Sequence, residues 1–524
     1  MPGSLRYGAA VKRFGEIDVA RTGLRVGRKS TKTPFLRGAP LLQSGMPAHV
    51  DTGETAFAAG HLGELTQVIT PSLVDEVLAK TGRVQVRVRK LPARVVVYFV
   101  LAMALFGECG YRGVWAALVA APSVPDVDPS AAALRQARRR LGSEPLSVLF
   151  DQVKGAVAAE DAVGSWWKGL RTVAWDSTGI LVADSEANRS YCGRASGRNG
   201  VCGFPMIRLS ALVECGTRAL IDAVLGPWTQ AEEAQCTVLC RALRPGMLVL
   251  ADRGSKGFAL VRSAAVTGAQ LLWRMSADLQ PPVLHALPDG TYLSMSTGTN
   301  ERDRLRRWSR HKRTAPPQIA GIAIRVIEAT VAVRAADGTK TTTSLRLFTT
   351  LLDHHRYPAA ELAELYHRRW QAETAYSGLK VTLRGPDRVL RSQHTDDALQ
   401  ELLGLLVVYQ VARQIAIDAA THAGVDPSRI SLAVTIRTAR HTVITATGTT
   451  TRHGCQPTPG IRQAILHPRE LAPRYRPTRI LPRRVKRPIS TFAYNATRKN
   501  TPLTNATIAI SITTATDRTR RWRT

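Results

Sequence analysis

The segment from residue 171 to residue 275 limits the possible folds more than any other part of the chain. Three apolar runs of strand-like composition come first, and a helical run follows them. A fully apolar run, a second helical run and a last strand-like run complete the segment. Their positions are residues 172–182, 206–213, 219–225, 231–243, 247–251, 258–268 and 270–275. Strands that alternate with helices predict an α/β domain in which the helices cover the faces of one sheet.

The order of these elements is also that of a ribonuclease-H-like domain, in which three meandering strands precede a helix and a further strand. Two more β-like runs follow at residues 322–333 and 342–349, near an arginine-rich cluster. A helical pattern precedes the segment, and two helical runs come after it, at residues 358–380 and 396–423. The sequence therefore predicts a ribonuclease-H-like α/β domain with helical regions on both sides.

The charge of the chain indicates what kind of partner it has. Lysine and arginine number 72 against 40 acidic residues, which gives a formal net charge of +32. A surplus of this size repels itself in a compact fold unless a polyanion neutralises it. Arginine supplies most of the charge, and its planar fork suits phosphates and guanine edges. We expect a partner that carries phosphates, and a merely soluble basic surface is the alternative.

One short helix is notable for its arginines. Asp128 as the N-cap, Pro129 at the first helical position and Gly142 after the last turn predict a helix over residues 131–141. The arginines of this helix are Arg135, Arg138, Arg139 and Arg140. It is a candidate recognition helix for the major groove of DNA, and a solvated charged face is the alternative.

The cysteines and the apolar runs indicate the compartment. The seven cysteines include no C-x-x-C pair, which argues against a disulfide framework and predicts a reducing, cytoplasmic compartment. The beginning of the chain is basic and Gly-rich, without the apolar run of a secretory signal. Residues 95–106 are too short to cross a bilayer. Residues 402–417 include Gln410, Arg413 and Gln414, so we predict a core helix and no membrane partner.

The helical run around residue 370 carries polar chemistry on one face. At about 100° per residue, four side chains fall within roughly 60° of one another. These are Tyr366, Arg369, Glu373 and Lys380. A carboxylate between two cations suits a site in which Glu373 binds a metal while Arg369 and Lys380 bind phosphates. The alternative is a solvated face on which Glu373 pairs with Arg369.

Two further acids belong to buried strands. Asp252 directly follows the apolar run at residues 247–251, and Asp176 lies in the first predicted strand. An ionised carboxylate there is costly unless a cation pairs with it, and Arg253 is one candidate partner for Asp252. With Glu373, the two aspartates can instead hold two Mg²⁺ ions about 3.5–4 Å apart, the arrangement for in-line attack on a phosphodiester.

This set of residues resembles the insertion-sequence 4 family of DDE transposases. The spacing Tyr366-x₂-Arg369-x₃-Glu373-x₆-Lys380 matches every interval of the family's Y-R-E-K signature. The resemblance covers roughly residues 55–490, which includes the family's N-terminal domain.

The chain also resembles the family around both aspartates. Residues 174–178 are similar to the first-aspartate box, and residues 248–254 are similar to the second. In the family an aromatic residue usually follows the second box at once, whereas here Ser255-Lys256-Gly257 precedes Phe258. The turn beside the expected metal site is therefore longer in this chain.

The resemblance implies a fold and a metal site. It implies a ribonuclease-H-like catalytic domain that a β-rich insertion interrupts between the second aspartate and the glutamate. Asp176, Asp252 and Glu373 would be the catalytic metal ligands. The expected cofactor is a pair of Mg²⁺ ions, with Mn²⁺ able to substitute.

The resemblance implies the partners as well. We expect DNA, as terminal inverted repeats and as target DNA, and a second copy of the chain in a homodimer on DNA. Near the scissile phosphate the expected DNA contacts are Tyr366, Arg369 and Lys380. From the candidate recognition helix we add Arg135, Arg138 and Arg139.

The expected function is that of an insertion-sequence transposase, which cuts and joins DNA strands in the cytoplasm, on the bacterial nucleoid. One alternative is a catalytically inactive DNA-binding relative, whose site the longer turn closes. A ribonuclease-H-like nuclease that cuts without strand transfer is the second alternative. A purely structural basic nucleic-acid-binding protein is the third, although it explains the charge and not the spaced acids.

The expected domain organisation follows from these assignments. We predict a flexible basic arm, a helical N-terminal DNA-binding domain, a catalytic domain in two pieces around a β-rich insertion, a C-terminal helical region and a basic tail. Their bounds are 1–45, 46–160, 170–276 with 353–400, 277–352, 401–450 and 451–524.

Overall fold

The computed structural model describes most of the chain between residues 61 and 513. The described residues are 61–85, 91–120, 127–160, 162–197, 200–252, 254, 257–276, 279–311, 317, 319–334, 340–386, 388–446, 460–472 and 507–513. The predicted basic arm and most of the predicted basic tail lie outside these ranges, as does Arg253.

A large mixed sheet forms the centre of the described structure. The strands are β1 (Trp166–Trp167), β2 (Leu170–Leu181), β3 (Ser196–Gly197), β4 (Gly200–Val201), β5 (Met206–Glu214), β6 (Leu220–Pro227), β7 (Met247–Ala251), β8 (Gln270–Arg274), β9 (His285–Ala286), β10 (Tyr292–Ser296), β11 (Ile322–Arg334), β12 (Lys340–Thr349) and β13 (Thr507–Ile512). The sheet contains every one of these except β3 and β4, which form a separate hairpin.

The order of the strands places β2 and β7 side by side. Across the sheet the order is β6-β5-β2-β7-β8-β12-β11-β10-β9, with β1 beside β2 and β13 beside β11. β5 is antiparallel to both β2 and β6, whereas β7 is parallel to β2 and β8 is parallel to β7. The predicted α/β architecture with one sheet is confirmed.

Helices cover the sheet and form the regions around it. In chain order they are α1 (Pro71–Lys80), α2 (Ala93–Leu105), α3 (Tyr111–Leu118), α4 (Ala131–Leu141), α5 (Glu144–Val153), α6 (Glu186–Cys192), α7 (Glu232–Leu239), α8 (Phe258–Ala265), α9 (Thr299–His311), α10 (Ala359–Leu365), α11 (Trp370–Ser377), α12 (Thr395–His422), α13 (Leu432–Ile444) and α14 (Ile461–Leu466). Helix α7 packs on β5 and β6, and α11 packs on β2 and β5.

The two faces of the sheet have separate cores because successive side chains of a strand point to opposite faces. Trp175 of β2 and Trp273 of β8 are buried on one face, with their ring centroids 5.0 Å apart. They pack in the core that also contains residues of α7 and α8. Ala174 and Leu250 belong to the other core, which includes residues of α11 and α12. Both faces of β7 are therefore buried, which explains its wholly apolar sequence.

Helix α12 is the central helix of the second core. By length and composition it could cross a membrane, but 89% of its most apolar window is buried inside the fold. It packs against α2, α5 and α14. The prediction of a core helix over residues 402–417 is confirmed.

The region between β8 and α10 is partly what the sequence predicts. The β-like runs form β11 and β12, and β12 is antiparallel to β8, so these strands extend the central sheet. The arginine-rich cluster forms helix α9, which the sequence did not predict because α9 has almost no apolar residues to reveal its period. Strand β13, near the end of the chain, pairs antiparallel with β11.

The caps of helix α4 differ in one respect from the prediction. Ser130, and not Asp128, is the N-cap, and its side chain accepts a hydrogen bond from the backbone N–H of Ala133. Gly142 follows the last turn with a φ of 73°, as predicted for a residue after the helix. Asp128 instead pairs with Arg112 at 2.7 Å.

Candidate active site

Asp176 and Asp252 come from neighbouring parallel strands and lie level with each other. In the ladder between β2 and β7, Ala174 pairs with Leu250. Two residues further along each strand are Asp176 and Asp252, so both carboxylates project from the same face as Ala174 and Leu250. That face is the one that α11, with Glu373, covers. The fold therefore brings all three predicted acids to one place.

The helical run that carries the signature residues is not one regular helix. After α10, residues Tyr366–Arg369 form a 3₁₀ turn, α11 follows, and Gly378–Leu383 form a π-helical segment. Gly378 packs closely on its neighbours, since a Cβ there would lie 2.8 Å from the Leu432 side chain and 3.2 Å from the Tyr409 ring. Such irregular turns are frequent at functional sites, because they change the direction in which side chains project.

Arg369 joins two of the three acids. Its Nη1 lies 3.5 Å from Oδ2 of Asp176, and its Nη2 donates to Oε1 of Glu373 at 2.8 Å. Burial lowers the pKa of Arg369, but the hydrogen bond to Glu373 and the nearby charges, including Asp252 and Asp176, outweigh it and raise the pKa. The expected alternative, in which Glu373 pairs with Arg369, is thus realised, and it is realised inside the acidic site.

The carboxyl of Asp176 has a perturbed pKa. Burial raises the pKa of its carboxyl from 3.8 to about 6. The N–H of Ser177 and the charge of Arg369 oppose this rise, while the charges of Glu232 and Glu373 add to it. The raised pKa of Asp176 thus comes first from burial and only then from the neighbouring carboxylates, and perturbed carboxyls of this kind are typical of functional sites.

Tyr366 is next to Asp252. Its hydroxyl donates to the backbone carbonyl of Ala251 at 3.1 Å and lies 3.5 Å from Oδ1 of Asp252. Burial raises the pKa of the Tyr366 phenol, and the charge of Asp252 raises it further. Nη1 of Arg274, on β8, lies 4.0 Å from the same carboxylate oxygen. Tyr366 is thus a buried group that ties the 3₁₀ turn to the end of β7.

Lys380 lies at the end of the signature, in the π-helical segment. Its Nζ donates to Oγ1 of Thr178 at 3.1 Å, two residues beyond Asp176 on β2. Burial lowers the pKa of Lys380, and the charge of Arg384 lowers it further. All four signature residues therefore face the strand ends that carry the aspartates.

The donor set at this site suits a hard divalent cation. The side chains of Asp176, Asp252 and Glu373 are 25%, 40% and 36% exposed, so solvent ions reach all three carboxylates. Within the described ranges, no three His, Cys, Asp or Glu side chains already form a group that could hold a metal ion. The guanidinium of Arg369 contacts both Asp176 and Glu373 and supplies the positive charge between these two carboxylates. The oxygen ligands fit a divalent ion once Arg369 gives up these contacts.

Two family models match the sequence of the chain. The sequence model of the insertion element 4 transposase N-terminal region matches residues 59–151. The sequence model of the transposase DDE domain matches residues 167–410, which include Asp176, Asp252 and Glu373.

The chain belongs to the insertion-sequence 4 family of DDE transposases. It is 26% identical over 377 residues to Transposase InsG for insertion sequence element IS4 of Escherichia coli strain K12, an alignment that covers 71% of this chain and 80% of that protein. Membership makes it a DNA-binding and DNA-transposing enzyme, and domains of this kind generally use divalent metal ions.

Among solved structures, one match is the cryo-EM structure of piggyBac transposase in a synaptic complex with hairpin DNA. It covers 73% of this transposase and 79% of its own chain, with a TM-score of 0.39 and 8% identity. A likeness at this level carries no argument about the site.

The prediction that Arg138 of the transposase contacts DNA is wrong. Arg138 is only 1% exposed and lies between α4 and α12. Its guanidinium donates to Gln400 at 2.8 Å, to Tyr111 at 2.6 Å and to the Asp397 carbonyl at 3.0 Å. A helix that also packs on its neighbours buries part of its charged face, and the spacing of arginines alone does not reveal which part.

The other two predicted DNA contacts of this helix, Arg135 and Arg139, lie on its outer side. Arg135 is exposed. The side chain of Arg139 is 47% exposed, and its Nε lies 3.3 Å from Asp397. Both remain predicted DNA contacts, and neither belongs to the group of acids described above.

Sequence reasoning missed two residues at the site. Tyr376 on α11 is buried, and its hydroxyl donates to the backbone carbonyl of Asp176. Glu232, at the start of α7, carries a negative charge that raises the pKa of Asp176. The spacing from Glu373 to Tyr376 is one helical turn, which is the only signal in the sequence that could have indicated Tyr376.

A cavity lies between α8 and the strands that follow it. Its volume is about 220 Å³, and its lining includes Phe258, Arg274, Met295 and Thr297. Trp273, on β8, is fully buried in the core, so its ring cannot stack on a nucleic-acid base. Trp308, on α9, is half-buried.

Proposed function

We propose that this transposase binds the terminal inverted repeats of an insertion sequence, cuts the DNA strand at the element's end and joins that end to target DNA. The observation that carries the proposal is the placement of Asp176 and Asp252 on adjacent parallel strands, with Glu373 linked to Asp176 through Arg369. Three carboxylates on one face are what two-metal phosphodiester chemistry requires.

We further infer that the catalytic domain is ribonuclease-H-like. The strand order β6-β5-β2-β7-β8, with β5 antiparallel and β7 and β8 parallel to β2, supports this inference. Two helices support it as well: α7 connects β6 to β7, and α8 connects β7 to β8. The strands from β9 to β12 then form the β-rich insertion between Asp252 and Glu373.

We assign Asp176, Asp252 and Glu373 as the ligands of two Mg²⁺ ions, with Mn²⁺ able to substitute. When bound, such ions supply positive charge that stabilises the charge developing on the reacting phosphate. The protein residues have separate tasks. Tyr366 positions Asp252 by holding the carbonyl of Ala251. Arg369 neutralises Asp176 and Glu373 while divalent ions are absent.

Two cations of the signature would then act on DNA. Once divalent ions neutralise the carboxylates, the Arg369 guanidinium can contact a phosphate in bidentate fashion. Lys380 is close to Thr178 on the strand of Asp176, where it can contact a second phosphate as a point charge. No covalent protein intermediate is needed, so Tyr366 acts as a positioning group and not as a nucleophile.

We propose that two copies of the transposase act together on DNA, because the two ends of an element must be brought together before they are joined. Outside the active site, Arg135 and Arg139 on α4 are the proposed contacts to the inverted repeat. Both are on the outer side of that helix, as a major-groove contact requires.

The experiment uses a labelled duplex taken from the DNA that flanks the coding region and carries the element's end. We expect the wild-type chain to nick this duplex when Mg²⁺ is present and to stop when the ion is chelated. We expect a precleaved version of the same duplex to be joined to plasmid DNA.

The outcomes separate the alternatives. Nicking without joining of precleaved ends would identify a nuclease rather than a transposase. Tight binding of the duplex without any nicking, in Mg²⁺ and in Mn²⁺, would identify a catalytically inactive relative.

A further inference from the structure

Tyr376 forms two hydrogen bonds at the strand that carries the first aspartate. Its hydroxyl donates to the backbone carbonyl of Asp176. The same oxygen accepts from the backbone N–H of Ala211 on β5, at 3.0 Å. Asp176 and Ala211 are paired residues of the antiparallel ladder between β2 and β5. One phenol thus joins helix α11 to both strands at the position of the catalytic acid.

Tyr366 makes an equivalent contact at the second aspartate. Its hydroxyl donates to the carbonyl of Ala251, the residue before Asp252. The two tyrosines lie on either side of Glu373 along the same helical run, and both are buried, at 8% exposure for Tyr366 and 6% for Tyr376. Each one therefore fixes the position of Glu373 relative to one of the two strands.

We infer that Tyr376 is a positioning residue that holds Asp176 in register with Glu373 for metal binding, as the counterpart of Tyr366 at Asp252. The inference rests on the proposed function, because it concerns the same three carboxylates. Tyr376 is not in contact with the reacting groups, since its hydroxyl bonds to backbone atoms. It acts through the backbone of Asp176.

A metal site needs such a positioning residue because it tolerates only small displacements of its ligands. Metal ligands must be held within about 0.5 Å of their productive geometry by groups that are themselves fixed. Asp176 has little other support from side chains of this helical run, because Arg369, in the 3₁₀ turn before α11, contacts it only at 3.5 Å and must leave when divalent ions bind. A buried phenol that bonds to two strands can supply that support without charge.

The substitution Tyr376→Phe tests this role, because it removes the hydroxyl and keeps the ring. The full-length variant and the wild-type chain are titrated with Mn²⁺ in the absence of DNA, and free Mn²⁺ is followed by electron paramagnetic resonance. We expect roughly a 10-fold to 100-fold loss of Mn²⁺ affinity, the usual effect of removing a group that supports a metal ligand. DNA affinity should stay close to that of wild type, since Tyr376 is buried and its hydroxyl bonds to backbone atoms.

A matched control is available in the same chain. Tyr98 is fully buried in α2, and its hydroxyl donates to the carbonyl of Ile69 at 2.8 Å. Tyr98→Phe is thus the same chemical change at the same kind of bond, in a helix that carries none of the acids. It should lower the melting temperature, though by less than Tyr376→Phe, which removes two hydrogen bonds, and it should leave Mn²⁺ affinity unchanged.

Each remaining outcome would overturn either the role of Tyr376 or the proposed function on which it rests. Wild-type Mn²⁺ affinity in Tyr376→Phe would overturn the inference, and so would an equal loss of affinity in Tyr98→Phe, which would indicate general loosening. Wild-type protein and Glu373→Gln are measured beside them for Mn²⁺ binding and for nicking. If the wild-type chain binds Mn²⁺ no better than Glu373→Gln and does not nick DNA, the proposed function itself fails.

Discussion

Arg138 and Arg369 of this transposase both lie among acidic and polar groups. They differ in how completely those groups satisfy the hydrogen-bond donors of the guanidinium. Arg138 is 1% exposed and bonds to Gln400, Tyr111 and the carbonyl of Asp397, with Glu401 at 3.5 Å. Arg369 contacts Asp176 and Glu373, and the negative charge of Asp252 also raises the pKa of Arg369. The first cluster balances its charges, whereas the second has three carboxylates near the two guanidiniums of Arg369 and Arg274, the latter 4.0 Å from Asp252.

The difference indicates what each cluster is for. A buried charge is tolerated when partners satisfy all of its donors, and such a cluster fixes how two helices pack. A cluster with surplus carboxylate is unstable as it stands and gains stability from a further cation. We therefore regard the Arg138 cluster as structural and the Arg369 cluster as a site that binds divalent ions.

The largest expected effect is on catalysis. Glu373→Gln keeps the shape of the side chain and removes its charge, so it should lower strand cleavage at least about a thousandfold, because several kcal/mol of charge stabilisation are lost. DNA binding should be retained, as measured by gel shift on the element's end. The control is Glu361→Gln in α10, where an exposed Glu361 pairs with Lys168, and it should cut normally. Full cleavage by Glu373→Gln would remove the metal-ligand assignment.

The next effect concerns folding. Arg138→Met leaves Glu401 and Gln400 buried without their partner, so it should lower the free energy of unfolding by about 3–5 kcal/mol in denaturant titrations. Arg139→Met, one position along and half-exposed, should cost less than about 1 kcal/mol. If both variants had the same stability as wild type, Arg138 would not be the structural centre that its contacts indicate.

The third effect is a gain in stability, whereas Arg138→Met loses stability, and it depends on pH. The folded state raises the pKa of Asp176 from 3.8 to about 6, so its contribution to stability is fully present below about pH 3.8 and is lost as pH rises to about 6. Asp176→Asn should therefore be more stable than wild type at pH 7 without divalent ions, by up to about 3 kcal/mol. The difference should vanish towards pH 4, as thermal unfolding across this pH range would reveal. A variant less stable than wild type at pH 7 would contradict the surplus of negative charge.

The smallest effect concerns DNA affinity. Replacing both Arg135 and Arg139 by alanine should reduce the slope of log affinity against log salt by about 2, since each phosphate contact contributes about 1. Arg112→Ala, on the neighbouring helix α3 and 67% exposed, is the control. An unchanged slope in the double variant would leave helix α4 as a solvated charged face.

Much of the fold was predictable because it depends on local pattern. β7 is wholly apolar and bounded by Gly246 and Asp252, so its limits were predicted without error. The signature residues were predictable because they are close together on one helical run. What the sequence could not predict depends on contacts far along the chain. Arg138 bonds to Gln400 of α12, which is 262 positions away, and Tyr376 contacts strand residues that are 200 and 165 positions away.

The central claim is that Asp176, Asp252 and Glu373 form one divalent-ion site. Crystals of the full-length transposase soaked in Mn²⁺, measured for anomalous scattering, test it most directly. The account predicts an anomalous peak in contact with carboxylate oxygens of Asp176 and Asp252, with Arg369 moved away from Glu373. Bound Mn²⁺ elsewhere in the molecule, with the Arg369 contacts to Asp176 and Glu373 unchanged, would contradict it.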